Sequence, residues 1–197
     1  MKTPQDYRRD DIRQLFTRRL GADIIKLSPL SLKVEERISR EKTIIDFSFE
    51  KTENKAKKDY EFLEVPGSGF LDAIYKACHN TFVGDYSSLA NLGLVDVIIK
   101  PIFAMSSTNA KTDAKTNVSL RLRTKQHGIS EFSSISRSIV YSSFVSMLSA
   151  FQFYMNCDKT FKVLQFVLED AQSRNRGDIA QQCWSDMAVL TRVNTYD

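Results

Sequence analysis

Acid–base or metal chemistry needs histidines or cysteines gathered with carboxylates, and the 197 residues carry only two histidines, His79 and His127, and three cysteines, Cys78, Cys157 and Cys183. Neither histidine has a partner at metal-ligand spacing: His79 falls on the polar side of a predicted helix and His127 in a turn beside Gly128. The odd cysteine count matches neither a disulfide framework nor a zinc site, so the thiols read as reduced and mostly buried. Gly67-Ser68-Gly69 precedes a predicted helix and offers free N–H groups to an anion, but the Lys-Ser/Thr pair of a phosphate loop is missing. Ser133, Ser134, Ser136, Ser138, Ser142, Ser143 and Ser146 mark a helix entry and a small-residue face suited to close packing. These residues assemble no active site, so the expectation is a protein without catalysis, metal or cofactor.

The elements that position these groups follow from hydrophobic period. Ile12, Leu15, Phe16 and Leu20 recur at helical spacing after Asp10 or Asp11, and Gly21 supplies a stop. After Pro29 the period becomes two, through Leu32, Val34 and Ile38 and then Ile45, Phe47 and Phe49. KTENKAKK (51–58) reads as a solvated loop leading to a third strand, Tyr60 to Val65, closed by Pro66-Gly67-Ser68-Gly69, where glycines can take backbone angles denied to other residues. Phe70, Leu71, Ile74, Ala77 and Cys78 then share one face of a helix running to about Phe82. The second half repeats this order. Strands are expected from Leu94 to Ala104, through Val118, Leu120 and Leu122, and near Ile129 to Phe132, with a helix from about Ser136 carrying Ile139, Phe144, Leu148, Phe151 and Met155. Two amphipathic segments follow, Thr160 to Gln172 and Asp178 to Arg192. The predicted fold is α+β: two βββα units with helices on one face of the sheet, an N-terminal helical linker over 1–28, a main domain over 29–157 and a C-terminal helical extension over 158–197.

Composition bounds the class of function. With 42% apolar and 26% charged residues the chain can bury a core, and 28 basic against 24 acidic residues, interspersed, make a net charge of +4 a poor argument for nucleic acid. Positive charge concentrates at Arg8, Arg9, Arg13, Arg18 and Arg19 and at Lys51, Lys55, Lys57 and Lys58, both read as solvated faces. No apolar run approaches the roughly 18 residues of a membrane span, and MKTPQDYRRDDIRQ lacks a signal-peptide core, which points to a cytoplasmic protein without membrane partners.

The runs PGSGFLDAIYKA, SLANLGLVD, TDAKTNVSLRL and ISRSIVYSSF occur in an order and spacing that resemble the C-terminal regulatory domain of 2-isopropylmalate synthase and citramalate synthase, over residues 10 to 156. The resemblance implies a homodimeric, allosteric domain of branched-chain amino-acid (leucine) biosynthesis, binding leucine or isoleucine at the dimer interface. Catalysis in that family belongs to a separate metal-binding barrel, a possible partner of this chain. Carried over by position, the effector pocket uses Gly67, Ser68 and Gly69 with Phe70, Leu71 and Asp72, facing a wall of Leu94, Asp96, Val97 and Pro101 with Asp113, Ala114 and Thr116. The glycine loop would hold the ligand carboxylate and Asp72 or Asp96 its ammonium. The chain departs from the family at Phe70, where a proline is usual, and at Ser133 and Ser134, where glycines precede the second helix. A relic of such a domain, serving as a protein-interaction module without ligand, is the competing expectation.

Overall fold

The computed structural model describes residues 4–40, 42–102, 114–124 and 128–193. Helix α1 (Pro4–Leu20) stops at Gly21, whose φ of 55° is left-handed backbone that a side chain disfavours. Strands β1 (Lys26–Arg37), β2 (Lys42–Glu53) and β3 (Ala56–Gly67) form one antiparallel sheet in that order. Helix α2 (Phe70–Phe82) follows. Strands β4 (Leu92–Ile102), β5 (Lys115–Thr124) and β6 (Ile129–Ser136) form a second sheet, and α3 (Ile139–Ser173) and α4 (Gly177–Leu190) complete the chain. Helix α2 lies on β2 and β3, whereas α3 lies on β5, β6 and β1 and also touches α1, α2 and α4. The α+β class with doubled βββα order is as expected.

Several boundaries differ from the expected ones, each for a local reason. KTENKAKK is a hairpin connection as expected, but its loop is only two residues long: Asn54 and Lys55 both take positive φ, 51° and 64°, making a tight turn whose twist suits the flanking strands, so β2 runs to Glu53 and β3 starts at Ala56. β1 begins before Pro29, which sits beside a register shift on an edge strand, where its missing N–H is tolerated. β6 extends to Ser136, so Ser133 and Ser134 belong to a strand. Phe103 and Ala104, expected at the end of β4, lie outside the described residues. The helix expected to end near Cys157 is one continuous element of 35 residues, capped by the Ser138 hydroxyl, which accepts from the Tyr141 N–H at 3.2 Å. Asn156 and Asp158 are weak helix formers, but both are buried and accept from backbone N–H groups outside the helix, of Ile25 and Ser88, while the Asn156 amide also donates back to the Gln152 carbonyl one turn earlier.

The core is aromatic. Phe47 stacks on Phe62 with ring centres 4.6 Å apart and meets the edge of Phe144 of α3 at 5.6 Å. The small face of α3 packs as its composition suggests, since Ser142, Ser143 and Ser146 are buried and the Ser146 hydroxyl donates to the Val118 carbonyl of β5 at 3.2 Å. The basic end of α1 is not simply solvated: Arg18 and Arg19 both bind the buried Asp186 carboxylate of α4, at 2.9 and 2.5 Å. Among the described residues no helix is long and apolar enough to cross a membrane.

The entry to β1 is fixed by side-chain amides of α3. Asn156 accepts from the Ile25 N–H at 2.9 Å and donates to the Ile25 carbonyl at 2.9 Å, and the Gln152 side chain accepts from the Leu27 N–H at 2.9 Å. Asn156→Leu keeps the volume but strands two backbone groups in a fully buried place, so a loss of about 2–4 kcal/mol is expected in denaturant unfolding. Gln152→Leu, at a half-buried position open to water, should lose about 1 kcal/mol or less.

Candidate functional site

The glycine loop joins β3 to α2 and is built around close contact rather than unusual torsion. A Cβ on Gly67 would stand 2.8 Å from the Ala73 Cβ and from the Gly69 carbonyl oxygen, and 2.9 Å from the Ala73 nitrogen, so only glycine lets the strand end lie against the first turn of α2. Gly69, the N-cap residue, has φ of −175°, extended backbone open to any residue, and a Cβ there would meet nothing within 4 Å. The residue that must be glycine is therefore Gly67, and the expected need for special torsion at Gly69 is not found.

The loop also carries its own carboxylate. Asp72 accepts from the Ser68 N–H at 3.2 Å, from the Ser68 hydroxyl at 3.0 Å and from the Lys76 ammonium at 2.8 Å. Foremost Lys76, with the two Ser68 donors assisting against partial burial, holds the Asp72 carboxyl below its ordinary value. One loop N–H and the acidic side chain thus satisfy each other at the helix start, where negative charge is favoured. Phe70 and Leu71 are half-buried and pack against the core.

The opposing residues divide between two faces of the second sheet. The register of β4 against β5 slips between Leu94 and Asp96. Beyond the slip, Val97 lies opposite the buried Leu120, and Pro101 opposite Thr116, which is 8% exposed, so Leu94, Val97, Pro101 and Thr116 share the helix-facing side. Asp96 lies opposite Arg121 on the other side, with its carboxylate 3.6 Å from that guanidinium and accepting from the Val97 N–H at 2.8 Å. Ala114 is half-buried just ahead of β5, and Asp113 lies outside the described residues. The sheet thus brings Pro101 and Thr116 together as a pair but turns Asp96 away from them. The glycine loop belongs to the first unit, and a bond between the halves is the Tyr75 hydroxyl of α2 donating to the Leu92 carbonyl of β4.

Other candidate groups fall into structural roles. His79 is half-buried, its ring stacked on Tyr75 at 5.6 Å, and His127 lies outside the described residues. The three cysteines are buried free thiols, and burial pushes the Cys78 thiol far up. Among the described residues no three His, Cys, Asp or Glu side chains gather as a metal site would need. Sequence reasoning missed a cavity on the far side of α3, bordered by Lys51, Tyr86, Asp158, Lys159, Lys162 and Phe166. Its signal was present, because Lys159, Lys162 and Phe166 recur at helical spacing of three and four along one face, but Lys51 was read as part of a loop.

Compared with known proteins, the chain matches no family model and no curated relative.

Two outcomes test this geometry. Gly67→Ala should destabilise by about 1–3 kcal/mol through overpacking, whereas Gly69→Ser should be neutral or gain up to about 0.5 kcal/mol as a better N-cap, both read by urea unfolding. Asp72 has a lowered carboxyl, so its stabilising effect is complete above its ordinary value of 3.8 and disappears as pH falls through the lower folded value. The stability gap between the parent and Asp72→Asn should therefore be full at neutral pH and close in acid.

Proposed function

We propose that the chain is a non-catalytic regulatory and dimerisation module, like the feedback-inhibition domains of 2-isopropylmalate and citramalate synthases that it resembles, and that two copies join through the second sheet. The observation supporting this is a step in burial along one row of that sheet. Val118 of β5 is fully buried, while Ile99, its partner on the same face of β4, is 49% exposed. Helix α3 covers β5 and β6 and stops short of β4, whose outer edge is also unpaired. Val95 and Ile102 of the same strand are exposed as well. A second copy laid against β4 buries this margin, and the recess it closes has Leu94, Val97 and Pro101 as a wall for a leucine or isoleucine side chain.

The second reading, an interaction module without a ligand, is favoured by the charges. An amino-acid ammonium needs an acceptor, and Asp72 is already held by Lys76 and Ser68 while Asp96 points to the other face. In that case the sheet margin remains an interface, with a second copy or a synthase catalytic domain as partner, and the amino-acid pocket is a vestige.

Sedimentation should give a mass near 45 kDa, twice the 22.5 kDa of one chain. Ile99→Glu should weaken the dimer by about thirtyfold or more, the effect of an unpaired charge at an interface centre. A monomer at micromolar concentration overturns the proposal. With the dimer established, saturable heat on titration with leucine or isoleucine supports the effector reading, and none at millimolar ligand leaves the interaction module. The purified chain should not condense acetyl-CoA with a 2-oxo acid, and turnover there would contradict a non-catalytic role.

A further inference from the structure

The cavity on the far side of α3 has a volume of about 510 Å³, within the range of small-molecule sites, and shares no residue with the proposed effector pocket. It opens between the β2–β3 hairpin end, the turn at Asp85 and Tyr86, and the solvent-facing side of α3. Its floor is a network of lysines. Lys159 donates to Glu53 at 2.7 Å, to the Asp23 carbonyl at 2.8 Å and to the Asn54 side chain at 3.2 Å, which engages all three of its protons.

The other donors are not all engaged. Lys51 reaches Glu53 at 2.8 Å and the Tyr86 oxygen at 2.9 Å, leaving one N–H without an acceptor among the described residues. Because Tyr86 accepts from Lys51, its own O–H is left to donate. Lys162 meets the buried Asp158 carboxylate at 2.8 Å and the Asp85 carbonyl at 3.1 Å, again with one N–H over. The Tyr86 ring centre is 5.2 Å from the Lys51 ammonium and 6.0 Å from that of Lys162, and all three side chains line the same cavity. Glu53 and Asp158 already offset two of the three lysine charges, and the exposed Asp85 carboxylate stands at the rim. With Asp85 counted the lining is formally neutral, three lysines against three carboxylates, so the site takes an anion through its unengaged donors and suits a single negative charge better than a phosphate dianion.

The cavity wall is apolar. Val163 and Phe166 lie one turn along α3 from Lys159 and Lys162, and Phe166 is 72% exposed, unusual for a large aromatic.

We propose that this cavity binds a small organic carboxylate with an apolar body, its carboxylate taken by Lys51, Tyr86 and Lys162 and its hydrocarbon laid against Val163 and Phe166. The site stands independently of the regulatory reading. Its carboxylates Glu53 and Asp158 already meet lysines, so the ligand assigned is a carboxylate without an ammonium.

Calorimetric titration of the full chain with 3-phenylpropionate at low salt tests it. The parent should bind saturably with a Kd around a millimolar, and Lys162→Met and Phe166→Ala should each weaken binding by about fivefold or more. Phe166 is exposed, so its variant should keep the parent melting temperature, whereas Lys162→Met takes the ammonium from the buried Asp158 carboxylate and should melt lower while remaining folded at the titration temperature. The uncharged 3-phenylpropanol and inorganic phosphate should each bind far more weakly, as each supplies only half of the recognition. No saturation by about 10 mM ligand overturns the proposal, as does unchanged affinity in either variant. Phosphate binding as tightly as 3-phenylpropionate removes the apolar half of the assignment, and displacement by leucine would make this the amino-acid site and overturn the ligand class. Failure here leaves the dimer and its mass untouched.

Discussion

A three-stranded sheet has one apolar face and no means of covering it alone, and this chain has two such sheets sharing one long helix. Phe144, Met147, Phe151 and Tyr154 of α3 are buried within a continuous core that takes in Phe47 and Phe49 of the first sheet and Leu120 and Phe132 of the second. The register of that sharing is set where Asn156 completes the backbone hydrogen bonds of Ile25. An amide side chain that both donates to and accepts from one residue acts as a short piece of strand, so the helix fixes the height at which β1 enters its sheet. The cavity floor at Lys159 and the cover over β5 follow from that placement, because both belong to the same helix.

Hydrophobic period carried the architecture. Alternation at Ile45, Phe47 and Phe49 and helical spacing at Ile74 and Cys78 put the right residues inside. Where period is silent, the reading failed. Asn54 and Lys55 carry no glycine to announce a tight turn, so strand residues on either side were taken for loop. Asn156 and Asp158 resemble a helix stop unless their distant partners are known, and those partners lie 131 and 70 residues away. Asp96 was placed with Leu94 and Val97 by carry-over from the resemblance, and position alone does not reveal the register slip that turns it to the other face. In the glycine loop, composition correctly marked a special junction but not which glycine makes the contact, since that depends on Ala73 across the turn.

Charge tells a similar story. Arginines at 18 and 19 look like a solvated basic face until Asp186, far along the chain, is brought beneath them with Gln182 donating to it at 3.1 Å. Breaking such a cluster from one side leaves a buried carboxylate short of partners, so these residues tie α1 to α4.

The late position of α3 in the chain also has a consequence for biosynthesis. The first sheet is complete in sequence at Gly67, but the helix that covers β1 begins only at Ile139. On a ribosome the β1–β3 meander therefore emerges with Leu27, Phe47 and Phe49 lacking that cover for the time taken to make some seventy residues, several seconds at about 5–20 residues per second. Through that interval α2 is the cover that comes in time. The junction that clamps it to β3, Gly67 against Ala73, acts during the protein's manufacture as well as in the finished molecule.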